Sequence, residues 1–195
     1  KISDIGQKEE TAPEFTEPEY TSISKDYKIN MTWHQVTNME ANNYLLNKIA
    51  DAKGLTTISP TWFSIADTDG NISSLASQSY VTYAHQQGLE VWGLVDNFKD
   101  GVSTYETLSR TSSRQRLVNQ LTAAAIQYGL DGINVDFELI TQDCARAYIE
   151  FIRELSIMCR INGIVLSVDN YVALSPLTKV SRHLIQLYPS LLVTV

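Results

Sequence analysis

Between residues 28 and 171, short apolar runs alternate with stretches whose apolar residues return every three or four positions. The first pattern predicts strands and the second amphipathic helices. Strands are expected over 28–36, 55–59, 89–96, 130–138 and 164–171. Helices are expected over 40–53, 73–87, 112–128 and 142–161; in the third, Leu117, Leu121, Ala124, Ala125 and Tyr128 fall at core spacing. Gly54, Gly88 and Gly129 each follow a helical run, where a residue free to turn left-handed ends a helix. Asp69-Gly70 centres a turn over 67–71.

Regular alternation of β and α with short turns predicts a parallel sheet covered by helices. Right-handed crossovers then leave two choices, a doubly wound sheet or a closed barrel. No glycine-rich phosphate loop follows the first strand, which disfavours the nucleotide-binding sheet. The expected fold is α/β, a (β/α)8 barrel apparently truncated after about five or six strands.

Composition narrows the functional classes. The 195 residues suit one domain with a real core. A net charge of −7, with Lys and Arg scattered singly, argues against nucleic acid and against an anionic membrane surface as partners. No run approaches the ~18 apolar residues that a membrane span needs, so no insertion is expected. Residues 1–27 are rich in Glu, Thr and Ser, with Pro13 and Pro18, and are expected to be an acidic, flexible linker from an upstream domain or anchor. Residues 28–195 form the barrel part. The first residue is Lys, without a charged-then-apolar leader, so a trimmed or mature product is expected. Cys144 and Cys159 fall in one expected helix, ~22 Å apart at ~1.5 Å per residue, too far for a disulfide. They are expected to be structural thiols. No cluster has metal-ligand spacing, and neither metal nor cofactor is expected.

The chemistry concentrates in Asp131-Gly132-Ile133-Asn134-Val135-Asp136-Phe137-Glu138. Side chains alternate faces along a strand, so Ile133, Val135 and Phe137 share one face. Asn134, Asp136 and Glu138 share the other. In a barrel strand the apolar set packs on the helices and the polar set looks into the lumen, with Glu138 at the C-terminal mouth where barrel active sites lie. Neighbouring buried carboxyls resist ionising together, a cost that structures retain mostly where the groups are used. The alternative is a solvated edge strand with its polar residues outward.

This segment resembles the Asp-x-x-Asp-x-Asp-x-Glu signature of glycoside hydrolase family 18, the chitinase-like enzymes, and most closely the branch acting on spore-cortex or cell-wall peptidoglycan. The resemblance runs from about Lys28 to Val172 and takes in Pro60-Thr61-Trp62-Phe63, Glu90-Val91-Trp92-Gly93-Leu94-Val95 and Tyr128-Gly129-Leu130-Asp131-Gly132. It implies that Glu138 is the general acid, Asp136 the residue that orients and stabilises a 2-acetamido group, and Asp131 a structural Asp at the strand's start. Asn134 stands where the commonest pattern has Asp, as it often does in the wall-lytic branch. The implied reaction is retaining and substrate-assisted, on N-acetylhexosamine polysaccharides such as chitin or peptidoglycan, in an extracytoplasmic wall- or spore-associated bacterial setting. The role given to Glu138 requires a carboxyl that holds its proton near neutral pH, which an apolar lumen and a neighbouring carboxylate favour.

Other candidates are Trp62, for stacking on a sugar ring or for the core, and Trp92, for the core. Asp96 and Asn97, ending the third strand at the same mouth, are candidates for substrate hydrogen bonds. His34 is expected to be structural and His85 to lie on a helix surface. Beyond Val172 the resemblance decays: a later Met-x-Tyr-Asp type strand is expected and absent from 174–195. A frame slip after about Pro176 is one account of this. A homodimer or a missing C-terminal half is then expected to complete the barrel, since an open sheet edge and an unfilled lumen are unfavourable. A non-catalytic carbohydrate-binding relative stays open as the alternative to a glycosidase. A barrel enzyme of unrelated chemistry is disfavoured by the lack of a Schiff-base Lys on a strand end.

Overall fold

The computed structural model describes residues 23–44, 49 and 52–169. Six strands occur there: β1 (Met31–His34), β2 (Thr57–Ile65), β3 (Ile72–Ser74), β4 (Glu90–Asp96), β5 (Gly132–Asp136) and β6 (Val165–Val168). Four α-helices accompany them: α1 (Gln78–Gln86), α2 (Thr104–Ser109), α3 (Thr111–Tyr128) and α4 (Ala145–Ile161). A 3-10 helix covers Met39–Tyr44. The expected strand end and tail beyond residue 169, the linker up to residue 22, and residues 45–48, 50 and 51 of the expected helix over 40–53 lie outside the described residues; the start of that helix is the 3-10 turn.

The strand order β1-β2-β4-β5-β6 settles the topology. Each parallel strand is laid beside its predecessor, and the order never reverses. A doubly wound sheet needs a reversal to place helices on both faces, whereas right-handed crossovers that always step the same way keep every helix on one face. The chain therefore folds as part of a (β/α)8 barrel wall.

Register assigns the faces. Ile133 pairs with Gly93 and Leu166, and Val135 with Val95 and Val168. Most of these residues join the apolar cluster that takes in Leu117 and Leu121 of α3 and Phe151, Ile152 and Leu155 of α4. Phe137, one residue past β5, continues the outer face and stacks on Phe151 at 5.3 Å and on Tyr148 at 5.9 Å. The inner face carries Gly132 beside Trp92, Asn134 beside Leu94, and Asp136 beside Asp96. Trp92, Leu94 and Val165 are buried yet lie outside the helix-side cluster, as inner-face residues should. The indole of Trp92 occupies the space above Gly132, where a Cβ would sit 2.6 Å from Trp92 Cγ. Only glycine fits under that ring.

Three local departures from the expected pattern have physical causes. Residues 72–74 are a strand, not the start of a helix: they fold back antiparallel on β2, and α1 begins later, capped where Ser77 Oγ accepts from the Tyr80 N–H at 3.4 Å. The turn between β2 and β3 is built by Asp67, whose carboxylate accepts from the N–H groups of Asp69 and Asn71. Residues 104–109, unassigned in the periodicity, form α2, whose N-cap is Ser103. Finally, β2 runs on through Pro60 to Ile65 and carries a bulge between Thr61 and Phe63. The bulge takes Trp62 out of register.

Candidate active site

The C-terminal ends of the strands bring four carboxyl-bearing residues to one mouth. Asp96 ends β4, and Asp136 beside it ends β5. Glu138 lies two residues past β5, near enough for its charge to act on Asp136, and Asp169 follows β6, held by its N–H to the Val135 carbonyl at 2.9 Å. Asn134 and Asp136 lie on a strand flanked on both sides, not on a solvated edge.

Asn134 is fully buried, and its Nδ2 donates to Asp169 Oδ2 at 2.8 Å. Its Oδ1 is buried without a partner among the described residues. Asp136 is half-buried. Burial raises its pKa first, and the charges of Asp169, Glu138 and Asp96 raise it further, to about 6. Asp169 is also pushed up by burial, an effect opposed by the hydrogen bond from Asn134. A carboxyl that holds its proton into the mildly acid range is thus present, at Asp136. Asp169 had no place in the sequence reading; the signal available was its position just past β6, opposite the motif strand.

Asp131 lies at the opposite end of β5. Its Oδ2 accepts from the Val91 N–H and meets His85 Nε2, both at 2.8 Å, tying α1 to the starts of β4 and β5. His85 is therefore a partner of the motif's first Asp, which the sequence reading did not foresee. His34 Nδ1 lies 3.0 Å from the Tyr80 hydroxyl, with the two rings stacked.

Two expected substrate contacts are made within the chain instead. Trp62 is only 2% exposed. Its Nε1 donates to Asn42 Oδ1 at 2.7 Å, and its ring packs edge-on against Tyr80 of α1. Simple alternation from Ile58 already puts Trp62 on the helix side, and the bulge adds Phe63 to the same side, so Trp62 belongs to the core and offers no face to a sugar. Asn97 Nδ2 donates to the Glu138 carbonyl and to Thr104 Oγ1, while its Oδ1 accepts from the Glu138 N–H, each at 2.9 Å. Asp96 Oδ1 accepts from the Phe98 N–H at 3.1 Å, turning the chain just after β4.

Leu139, directly after Glu138, has φ 55° and is 86% exposed. A non-glycine residue in the left-handed region costs about 1–2 kcal/mol, and so exposed a side chain recovers little by burial. Glu138 thus sits between an anchored Phe137 and a strained turn.

No family model matches the chain. An uncharacterised glycosylase of Bacillus subtilis (strain 168), YvbX, is 26% identical over 96 residues, which are 46% of this chain and 28% of that protein. Among solved structures, a class V chitinase from Pseudomonas fluorescens Pf-5 superposes with a TM-score of 0.64 at 16% identity, over 76% of this chain and 48% of that one. The spore cortex-lytic enzyme SleL of Bacillus megaterium QM B1551 superposes with a TM-score of 0.60 at 19% identity, over 75% of this chain and 36% of that one. The shared feature is the barrel fold, and this chain spans less than half the length of each of these proteins.

Proposed function

We propose that this chain carries the catalytic strand of a family 18-type glycoside hydrolase that cleaves β-linked N-acetylhexosamine polymers, either cortex or wall peptidoglycan or chitin. The observation that supports the reading is Asn134 and Asp136 on the inner positions of β5, with Asp96, Glu138 and Asp169 near enough to Asp136 to raise its pKa. The barrel likeness to a spore cortex-lytic enzyme and to a chitinase, and the sequence relation to a glycosylase, support the same class. They also support an extracytoplasmic, wall- or spore-associated setting. Among the described residues no helix is long and apolar enough to cross a membrane.

In this reading the substrate's acetamido oxygen attacks the anomeric carbon while Glu138 gives its proton to the departing glycosidic oxygen. The C–O bond breaks, and the positive charge on the oxazolinium-like ring is stabilised by ionised Asp136. Water then attacks the anomeric carbon, returns its proton to Glu138 and reopens the ring. Net configuration is retained, without a covalent enzyme intermediate. Asp131 acts at a distance, fixing the start of the strand. A second half of the barrel, from the same polypeptide or from a second copy, supplies the remaining sugar-facing walls.

The test is hydrolysis of a chromogenic N-acetylglucosamine oligomer and of isolated spore cortex by the full protein and by Glu138→Gln. Turnover is expected to fall by roughly 10²–10⁴ while sugar binding persists. Equal rates in the two proteins remove the glycosidase reading; sugar binding without turnover in the unaltered protein marks a carbohydrate-binding relative instead.

A further inference from the structure

We infer that Asn97 is a positioning residue for Glu138, acting as a one-residue substitute for a neighbouring strand. The inference rests on Glu138 being the acid of the proposed reaction.

The parallel ladder of β5 ends at Asp136, so the backbone of Glu138 lies past the last strand pairing. Its N–H and carbonyl are nonetheless both satisfied, and by one side chain 41 positions away in sequence. The amide of Asn97 is suited to this because it carries an acceptor and donors on one rigid plane. Its remaining donor bonds to Thr104 Oγ1, the first residue of α2, which fixes the plane of the amide. Aspartate at position 97 would keep the acceptor but replace the donor with a second acceptor facing a carbonyl. Alanine would leave Glu138 tethered only by Phe137 on one side and the left-handed Leu139 on the other. Displacement of a reacting group by about 1 Å can lower turnover by ~100-fold without altering substrate binding. Asn97 touches no reacting atom in this scheme; it sets where the Glu138 carboxyl stands.

Amide hydrogen exchange at Glu138, together with kcat and KM on the chromogenic oligomer, tests the idea in the full protein. In Asn97→Ala the Glu138 amide is expected to exchange roughly 10-fold faster or more, while the Ile133 and Val135 amides keep their protection. Turnover falls by about 10–100-fold with KM little changed. Asn97→Ala adds no further loss in a Glu138→Gln background, because the two residues act as one unit. Thr104→Val, which leaves both bonds to Glu138 in place, gives a smaller fall of the same kind and serves if Asn97→Ala does not fold. Unchanged exchange at Glu138 overturns the clamp, as does a change confined to KM, which would mark Asn97 as a substrate contact. If Glu138→Gln leaves the rate unaltered, the glycosidase reading fails, while the exchange measurement still decides the clamp.

Discussion

The two ends of this barrel wall handle buried carboxylates in opposite ways. At the N-terminal end, Glu90 is surrounded by donors: Lys25 pairs with it, Tyr27 Oη donates at 2.7 Å, and Trp92 Nε1 donates at 2.9 Å. Asp131 at the same end has the Val91 N–H and His85. At the C-terminal mouth, Asp96, Asp136, Glu138 and Asp169 face one another, and no Lys or Arg pairs with them among the described residues. Burial pushes the pKa of Glu90 upward, but its three donors outweigh burial and hold it below the usual value. Asp136, buried to a similar degree but among like charges, is driven up to about 6. Burial alone therefore does not decide the state of a carboxyl here; the sign of its neighbours does. One end pairs its carboxylates with donors, and the other leaves them among like charges, a cost that the proposed polar substrate would relieve.

The sharpest way to break this contrast is to exchange the effects. Glu138→Gln is expected to abolish most turnover, by the factor given above, with little change in melting temperature. Glu90→Gln should do the reverse: kcat holds, while stability falls by about 1–3 kcal/mol because Lys25 and Tyr27 lose a charged acceptor. Calorimetry alongside kinetics reads both. If Glu90→Gln costs activity at unchanged stability, the division between the two ends is wrong.

Gly132→Ala follows in size. The added methyl would meet the Trp92 ring at 2.6 Å, forcing the indole off its bond to Glu90 or bending β5. Overpacking of this kind costs about 1–3 kcal/mol, measurable as a lowered denaturant midpoint. A neutral result would mean that the floor of the lumen is plastic.

The pH responses are smaller and opposite in sign. Glu90, with its lowered folded-state pKa, stabilises the fold above the ordinary Glu value, and that contribution is lost as pH falls through its folded pKa. Asp136, with its raised pKa, favours the folded chain most below about pH 4, and that benefit disappears as pH rises through about 6. Asp136→Asn is accordingly expected to raise the stability at pH 7.5 by about 1 kcal/mol after allowance for solvent screening at the open mouth, read as a higher melting temperature. Asp169→Asn removes one of the charges acting on Asp136. In the proposed reaction it moves the acid limb of the kcat/KM profile, expected near pH 6, to lower pH. A limb that stays in place would detach Asp136 from it.

Much of this architecture is legible from local spacing. The period-two pattern around Ile133, Val135 and Phe137 identifies the motif strand, and the 3.6-residue pattern identifies α3 and α4 within a few residues at their starts. Those patterns persist because one face of each element must be apolar to be buried. Phe63 shows where local spacing stops. A single extra residue in β2 puts Phe63 on the helix side together with Trp62, and the bulge leaves no mark in the alternation of Thr61, Trp62 and Phe63. The β3 hairpin was missed because three residues are too few to display a period.

Residue order alone specifies that 134, 136 and 138 share one side of a strand and that 133, 135 and 137 share the other, since this follows from the pleat of any extended chain. The assembled sheet specifies everything that depends on neighbours distant along the chain: that His85 meets Asp131, that Asp169 joins the mouth, and that Asn97 grips Glu138. The partners are 46, 35 and 41 positions apart. No local periodicity encodes such separations; they arise only when parallel strands are laid side by side in register.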